Sequence, residues 1–321
     1  MRAGRVVARV IAVVVGVAAI LVWSRYASDL AAQRARVGRG SQVWTSPRFG
    51  PIEFASVGRG PAVLVSHGAG GGFDQVAAAA ARLADAEYHV ISPSRFGYLR
   101  SSSPDDPSPA NQAEAYVELL DQQRIPRAAV VGISAGALSA LQFVVRHPDR
   151  CRSLILIVPA AAAATGAQGT LPAQSPITLA IARRVIRSDF LYWVGIEIAP
   201  GAMTRSILAT DPALVAAASA SERQRAREVM WNVLPVSARA QGLLNDARFV
   251  TTPDPVPFEQ IAAPTLVISL EDDFYKTIEP ARAIAAAIPG AHLVTYPSDG
   301  HVWVGRDDQI FAEIEAFLAA N

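Results

Sequence analysis

Short apolar runs alternate with helical stretches from Val43 to the end of the chain, and this alternation restricts the folds open to it. The runs at 61–66, 88–92 and 128–132 are rich in Val, Ile and Ala, as buried strands are, and stretches of helical length separate them. Strands that alternate with helices form a mostly parallel sheet with helices on both faces. The sequence therefore predicts the α/β class.

Both ends of this region extend the pattern. Residues 42–45 and 52–57 flank Pro47 and Gly50, which predicts an antiparallel strand pair at the start. Further along we expect strands over 153–158, 265–270 and 292–296, and helices over 73–85, 109–123, 135–146, 279–288 and 307–320.

The alternation stops at residues 160–259. A low-complexity sequence rich in Ala and Gly occupies residues 160–169, and a sequence with helical patterning follows it. We expect helices over 177–187, 190–198, 212–220 and 221–232. A strand-free stretch of this length is best placed as a helical insertion over one end of the sheet. The core of the fold then comprises residues 42–159 and 260–321.

The amino-terminal segment has a different composition from the body. Residues 10–23 carry no charge. Counting from Val6, the apolar stretch 6–23 is long enough to cross a hydrocarbon core if Arg9 extends towards the headgroups. We therefore predict that residues 1–24 form an uncleaved membrane anchor.

A cleaved secretory signal is the rival interpretation of the same residues. Val22-Trp23-Ser24 is a mediocre cleavage site, and Arg25-Tyr26-Ala27 is a worse one because Arg stands where a small residue is required. Arginines flank the apolar stretch on both sides, so the positive-inside rule does not fix its orientation. We expect the body to lie outside the cytoplasm, anchored or, after cleavage, secreted.

The residues that follow the anchor, 25–41, predict a connecting element. They include four arginines and few large apolar side chains, and a Gly-Arg-Gly sequence ends them. We interpret them as a solvated helical stalk that acts as a spacer.

Charge and cysteine content exclude several classes of protein. The 29 Lys and Arg balance 28 Asp and Glu, so the chain lacks the basic surface that nucleic-acid binding requires. Cys151 is the only cysteine, which rules out an intramolecular disulfide, a Cys-rich zinc site and a Cys-x-x-Cys redox pair. The sequence implies no metal, haem or nicotinamide cofactor, and it leaves the oligomeric state open.

One pentapeptide, Gly132-Ile133-Ser134-Ala135-Gly136, fits the pattern G-x-S-x-G. It lies between an expected strand and an expected helix, which is the context of a nucleophile elbow. A serine at the apex of so tight a turn has a strained backbone, and the residues two before and two after it must be small to let strand and helix approach. We predict that Ser134 is a nucleophile.

With this elbow the chain resembles the α/β-hydrolase superfamily, and other segments match that family too. Residues 67–72, His-Gly-Ala-Gly-Gly-Gly, resemble its HG-x-G-G oxyanion loop, and residues 147–150, His-Pro-Asp-Arg, resemble the segment before its sixth strand. The resemblance covers 43–321 except the insertion, which would be the family's variable lid, and it implies a mostly parallel eight-stranded sheet. The turn at 93–98, Pro-Ser-Arg-Phe-Gly-Tyr, departs from the usual Asp-x-Arg-Gly-x-Gly pattern of the family.

A serine hydroxyl needs an imidazole to take its proton and a carboxylate to orient that imidazole. The resemblance implies the chain order serine, acid, histidine, which leaves two of the five histidines. His292 belongs to the last expected strand. His301 follows that strand in a loop, where the carboxyl ends of strands present site residues, so we assign the base to His301.

The acid should follow the strand over 265–270, where Glu271, Asp272 and Asp273 are consecutive. Members of the family place the acid three residues after the position held here by Leu270. This implies Asp273, with Asp272 as the alternative.

Acyl transfer also needs two backbone N–H groups directed at the developing oxyanion. The resemblance assigns these to Ala135 and Ala69, and the glycines after Ala69 would let a substrate approach the backbone closely. Apolar groups near the lid could line an acyl pocket. The candidates for substrate contact are Gly70, Phe73, Phe96, Trp231 and Trp303.

The leading hypothesis is a serine hydrolase that cleaves an ester or other small, apolar acyl substrate through an acyl-serine intermediate. Two alternatives use the same residues: hydrolysis of a carbon–carbon bond in a ring-cleavage product, and cofactor-free perhydrolase or haloperoxidase chemistry. A third belongs to another class, a membrane-tethered binding module on a retired hydrolase scaffold. An intact set of Ser134, Asp273 and His301 argues against this last reading.

Overall fold

An eight-stranded sheet forms the centre of the molecule in the computed structural model, which describes residues 2–161 and 182–321. The strand order is β1-β2-β4-β3-β5-β6-β7-β8. β2 runs antiparallel to both of its neighbours, and the pairs from β4 to β8 are parallel. The strands are β1 Gln42–Ser46, β2 Gly50–Val57, β3 Ala62–Ser66, β4 His89–Pro93, β5 Ala128–Ile133, β6 Cys151–Ile157, β7 Thr265–Leu270 and β8 His292–Tyr296.

Helices cover both faces of this sheet, as the alternating pattern predicts. The described helices are α1 Arg2–Val37, α2 Ala77–Asp85, α3 Pro109–Gln122, α4 Ala137–Arg146, α5 Asp189–Ile198, α6 Pro200–Ile207, α7 Pro212–Ala217, α8 Ala220–Trp231, α9 Ala240–Thr251, α10 Ile278–Ala287 and α11 Asp307–Ala320. Helices α3, α4 and α10 pack on one face, and α2 and α11 pack on the other.

Two apolar cores result, one on each face, and successive residues of a strand contribute to them in turn. In β3, Leu64 packs into the core under α3 and α4, whereas Val63 and Val65 pack into the core under α2 and α11. Because both faces of the inner strands are buried, every position favours an apolar side chain. This is why the strands read as continuous apolar runs.

The expected core elements are present with small shifts at their ends, and β7, β8 and α11 begin and end where the sequence predicts. One boundary differs more: the helix expected from Phe73 begins at Ala77. Residues 73–76 form turns instead. There the Phe73 N–H donates to Ser94 Oγ at 3.0 Å, and the Asp74 carboxylate pairs with arginines.

Helices α5 to α9 lie in the insertion, and two of them, α6 and α9, were not expected. Gly201 near the start of α6 and Gly242 within α9 locally disfavour a helix. Their packing in the folded chain outweighs that local preference. The Ala- and Gly-rich residues after Ala161 and the start of the helix expected at 177–187 lie outside the described residues. Residues 182–185 of that expected helix are helical.

Helix α1 joins the predicted anchor and the predicted stalk in one continuous element. The apolar part of this helix has a mean hydropathy of 2.7 and is entirely exposed. By its length and composition the helix could cross a membrane, and a signal sequence would meet the same criteria. The segment interpreted as a solvated stalk is not solvated on every face. Tyr26 and Leu30 are buried against the helices of the insertion, because the helical repeat places them on one face with Asp29, which accepts a hydrogen bond from Trp193 at 2.9 Å.

This packing predicts that Leu30→Ala destabilises the folded body. The substitution leaves a cavity between α1 and the insertion, and we expect a loss of about 2 kcal/mol in the free energy of unfolding. Denaturant titration of the full chain in detergent, followed by tryptophan fluorescence, measures it. Leu21→Ala is the matched control, since Leu21 is 65% exposed and should change little. Equal free energies of unfolding for the two variants would show that the stability of the folded body does not depend on this contact.

Candidate active site

Ser134 stands at the end of β5, on a short 3-10 turn that leads into α4. Its φ of +50° lies in the left-handed region, which is strained for a residue with a side chain. The flanking glycines make the turn possible. A Cβ on Gly136 would stand 2.2 Å from the Ser66 carbonyl oxygen, and one on Gly132 would stand 2.8 Å from the Cα of Ala137. Both glycines are therefore required, as the elbow motif predicts.

Three side chains from different loops form a continuous chain of hydrogen bonds at the carboxyl ends of the strands. His301 Nε2 lies 3.1 Å from Ser134 Oγ, and His301 Nδ1 lies 2.7 Å from Asp273 Oδ2. Asp273 is fully buried, and Ser134 and His301 are nearly so. The structure thus brings together the three residues that the sequence assigns to nucleophile, base and acid.

The surroundings of Asp273 favour its ionised form. Burial opposes the ionisation of Asp273. His301 outweighs this effect through its charge and its hydrogen bond, so the pKa of Asp273 lies below its usual value. The Tyr275 N–H at 2.7 Å and the Thr277 hydroxyl also donate to this carboxylate. An ionised Asp273 accepts a hydrogen bond from the Nδ1–H of His301, and in this tautomer the lone pair of Nε2 faces Ser134 Oγ.

Asp272, the alternative acid, contacts the backbone before His301 and not the imidazole ring. Its carboxylate accepts the backbone N–H groups of Asp299 at 3.1 Å and Gly300 at 2.9 Å. Those residues immediately precede His301, so Asp272 holds the loop that carries the base. The two neighbouring carboxylates therefore both orient His301. Asp273 contacts its ring, and Asp272 binds the backbone of the two residues before it.

The oxyanion loop passes beside the elbow. A Cβ on Gly68 would lie 3.3 Å from the Cβ of Ser134, which shows how closely the two backbones approach. Among the described residues, none accepts a hydrogen bond from the Ala69 N–H, and Ala69 is exposed. Ala135 directly follows the serine on the elbow and is buried. The assignment of these two N–H groups as oxyanion donors stays a prediction.

His67 supports this loop from below. It is fully buried, and its Nδ1 donates to the Gly68 carbonyl at 2.7 Å while its Nε2 accepts the Arg95 N–H at 2.9 Å. Burial and the nearby charge of Arg95 lower the pKa of His67 well below its usual value. The neutral ring is thus fixed in one tautomer and ties the oxyanion loop to the turn after β4.

A second buried group connects the same turn to the insertion. Arg95 makes a bidentate ion pair with Asp246 on α9, at 2.5 and 2.7 Å. The Tyr98 hydroxyl donates to Asp246 and accepts the Gly70 N–H at 3.3 Å. Burial and the charge of Asp246 raise the pKa of Tyr98 well above its usual value, so the hydroxyl stays protonated. The unusual turn at 93–98 therefore has a structural use.

A third buried group joins α1 to the oxyanion loop. Arg239 is fully buried and donates to the Gly71 carbonyl and to Asp74 Oδ2, the latter at 2.8 Å. Arg36, near the end of α1, also contacts Asp74, at 2.5 Å, and donates to the Asn232 carbonyl at 2.9 Å. The carboxylate of Asp74 thus lies between two guanidinium groups from distant parts of the chain.

The remaining substrate candidates are spread over the molecule. Gly70 has a φ of +72° and lies under Val233 of the insertion. Phe96 packs 5.4 Å from Phe49 in a small core cluster. The Trp303 indole donates to Asp307 at 3.1 Å. These placements give Phe96 and Trp303 structural contacts, and their contact with substrate stays a prediction.

The two other candidates are Phe73 and Trp231. Phe73 is buried next to the loop, at its carboxyl end. Trp231, at the end of α8, packs in the apolar cluster of the insertion and lines a cavity of about 480 Å³ between α5, α6, α7 and α8. None of the three hydrogen-bonded side chains lines this cavity.

Sequence reasoning missed Tyr275. Its ring packs edge-on against His301, with centroids 4.9 Å apart, and its hydroxyl donates to the Ser206 carbonyl on α6 at 3.0 Å. It therefore links the base to the insertion. The only signal in the sequence is its place two residues after Asp273, where the carboxylate can accept its N–H.

The chain belongs to the alpha/beta hydrolase family, whose characteristic sequence pattern matches residues 62–314. The fold and the position of the serine agree with this, and the protein is a hydrolase.

Individual relatives are hydrolases as well. An uncharacterized hydrolase of Bacillus subtilis, YcgS, is 36% identical over 108 residues, which are 33% of this chain and 37% of that protein. The putative carbamate hydrolase RutD of Klebsiella pneumoniae is 28% identical over 260 residues, 79% of this chain and 89% of that protein. An alpha/beta hydrolase fold protein from Nakamurella multipartita superposes with a TM-score of 0.66 and 26% identity, covering 87% of this chain and 98% of that one.

The geometry predicts different effects for the two adjacent carboxylates. In Asp273→Asn the amide no longer stabilises the correct tautomer of His301, and we expect kcat to fall by about 10⁴-fold. Asp272→Asn keeps an acceptor oxygen for the loop and should cost much less. Steady-state turnover of a serine-hydrolase substrate measures both. The reverse order of effects would reassign the acid to Asp272.

The pKa of Asp74 predicts a dependence of stability on pH. Burial opposes its ionisation, but Arg239 and Arg36 outweigh this and lower the pKa. A lowered pKa stabilises the folded state above the unfolded pKa of about 3.9, and this stability is lost as the pH falls through the folded value. Asp74→Asn leaves Arg239 buried with its ion pair broken, so we expect a loss of about 3 kcal/mol at pH 7.

Unfolding of wild type and Asp74→Asn across pH 7 to pH 3 measures this. The difference in the free energy of unfolding between wild type and Asp74→Asn should become smaller below about pH 4, because the wild-type carboxylate then takes up a proton. Asp308→Asn is the control, because Asp308 is 94% exposed in its pair with Arg82 and should have little effect at any pH. A constant difference between wild type and Asp74→Asn would contradict the electrostatic explanation.

Proposed function

We propose that the protein is a serine hydrolase that cleaves an ester or related small acyl substrate through an acyl-enzyme intermediate on Ser134. The observation that carries the proposal is the chain of hydrogen bonds from Ser134 through His301 to the buried Asp273. A binding module that no longer catalyses a reaction has no physical need for this alignment on a strained turn.

The reaction follows from the positions of the three groups. Ser134 Oγ attacks the acyl carbon while its proton passes to His301 Nε2, and the imidazolium that forms is stabilised by the carboxylate of Asp273. The N–H groups of Ala69 and Ala135 stabilise the oxyanion. The leaving group takes the proton from Nε2 as its bond to the acyl carbon breaks. Water then attacks the acyl carbon as His301 Nε2 takes its proton, and the bond from the acyl carbon to Ser134 Oγ breaks as Nε2 returns that proton to Oγ, which releases the acid.

Carbamates are a second candidate substrate class. The observation in favour is the similarity to the putative carbamate hydrolase RutD over most of both chains. A carbamate carbonyl can be attacked in the same way as an ester carbonyl, so the same residues serve both reactions. The chemistry of the leaving group separates the two classes experimentally.

The cellular setting is part of the proposal. The apolar stretch of α1 is exposed and long enough to cross a bilayer. Cleavage after Ser24 would remove Trp23, whose ring lies 6.2 Å from that of Phe190, and cleavage after Ala27 would also remove the buried Tyr26. We therefore favour an uncleaved membrane anchor with the hydrolase body at the membrane surface.

Covalent labelling tests the nucleophile. Full-length protein in detergent should gain the mass of one adduct after incubation with a fluorophosphonate, and Ser134→Ala should gain none. Ester hydrolysis by Ser134→Ala should fall on the order of 10⁶-fold. Ser221→Ala is the control, since Ser221 is an exposed serine on α8 and its loss should leave labelling and turnover unchanged.

Substrate panels then separate the candidates. Esters of graded chain length and aryl carbamates are compared at equal concentration, together with a dienoate ring-cleavage product and a peroxide-dependent halogenation assay. Turnover of the dienoate alone would replace acyl hydrolysis with carbon–carbon bond hydrolysis. Failure of the folded wild type to form an adduct would contradict the proposal and favour a binding role.

A further inference from the structure

Helix α5 has an apolar face that the rest of the described protein leaves exposed. Leu191 is 40% exposed and Ile198 is 78% exposed, and Val194 and Gly195 between them are partly exposed. The spacing of these four residues places them on one side of the helix. The opposite side, with Tyr192, Trp193 and Ile196, is buried in the apolar cluster of the insertion.

The contacts of α5 with α1 define where this face lies. Phe190, near the first end of α5, packs 6.2 Å from Trp23 and 5.1 Å from Tyr26. Glu197, near the other end, pairs with Arg25 at 2.9 Å. Asp189, at the start of α5, also reaches Arg34, so α5 contacts α1 from residue 23 to residue 34. Phe190 and Glu197 both lie beside residues 23–26.

That turn of α1 is where the uncharged stretch ends. No charged residue occurs from Val10 to Trp23, and Arg25 is the first charge after it. If the stretch spans a hydrocarbon core, Trp23 and Tyr26 lie at the boundary with the headgroups, where aromatic side chains concentrate. Phe190 and Glu197, which contact α1 at this level, then lie next to the bilayer surface.

The charges around α5 suit an anionic surface. Arg183, Arg184 and Arg187 precede the helix and are exposed. The acidic residues of α5 are already paired: Asp189 lies 3.6 Å from Arg34 and accepts from Ser237, and Glu197 contacts Arg25. A basic segment beside an apolar helical face is typical of elements that lie in the membrane interface.

We propose that the exposed face of α5 rests in the interface of the bilayer that holds α1, with Arg183, Arg184 and Arg187 on anionic lipid headgroups. The inference rests on the proposed anchoring of α1. It gives the hydrolase a second contact with the membrane, through the insertion that covers the active site, and it predicts that the insertion is held at the lipid surface from which apolar substrates would come.

Site-directed fluorescence in proteoliposomes tests the proposal with the full chain. The only native cysteine, Cys151, is buried, so a cysteine introduced at an exposed position can be labelled selectively with an environment-sensitive dye. The vesicles contain phosphatidylcholine and phosphatidylglycerol, with nitroxide lipids spin-labelled either near the carbonyl or near the end of the chain. Three variants are compared: Ile198→Cys on α5, Val14→Cys in the anchor, and Ala286→Cys on α10 as the exposed control.

We expect the dye at position 198 to emit at shorter wavelength than the dye at 286 and to be quenched best by the shallow nitroxide. The dye at 14 should be quenched best by the deep nitroxide, and the dye at 286 by neither. Changing Arg183, Arg184 and Arg187 together to Gln should reduce quenching at 198 to the level seen in pure phosphatidylcholine.

Each other outcome overturns the proposal in a distinguishable way. Deep quenching at 14 with a water-like signal at 198 would keep the anchor and reject the contact of α5. Shielding of 198 from aqueous iodide without nitroxide quenching would indicate that a second copy of the chain covers this face instead. No quenching at 14 would reject the anchor and the inference together, whereas fluorophosphonate labelling of Ser134 is unaffected by any of these results.

Discussion

The close approach of three backbone segments at the elbow is the constraint on which the rest of the site depends. β5 must turn into α4 within a few residues, and Gly136 lets that turn press against the carbonyls of Ser66 and His67 at the end of β3. The strain at Ser134 is held in place by two apolar cores, one on each side of the sheet. The same contact brings the oxyanion loop, which continues from β3, beside the serine.

Buried ion pairs then fix the parts that the sheet does not hold. Asp246 joins α9 to the turn after β4, and Asp74 joins the oxyanion loop to α1 and to Arg239. Breaking such a pair by removing one partner leaves an uncompensated charge in the interior, which is costly. The insertion and the amino-terminal helix are therefore attached to the active site by charge as well as by apolar packing, and the insertion is positioned over the site by defined contacts.

Local chemistry made much of the site predictable. The turn at Ser134 requires small residues at fixed offsets, and the loops after β7 and β8 lie where the carboxyl ends of the strands share one edge of the sheet. Within those loops, the resemblance to α/β-hydrolases implied Asp273 and His301. Tyr275 and Arg239 could not be found in this way. Their contacts join residues far apart in sequence, and an aromatic or basic side chain in a loop carries no local mark of such a partner.

The sequence by itself determined the α/β class, the order of the core elements and the elbow, because strand and helix periodicities and tight-turn sterics act over a few neighbouring residues. Only the tertiary structure decided that residues 25–37 dock on the insertion, that Asp272 holds the histidine loop while Asp273 contacts the ring, and that α5 packs on α1 and leaves an apolar face exposed. These features depend on which distant surfaces meet, and that is set by the packing of the whole chain.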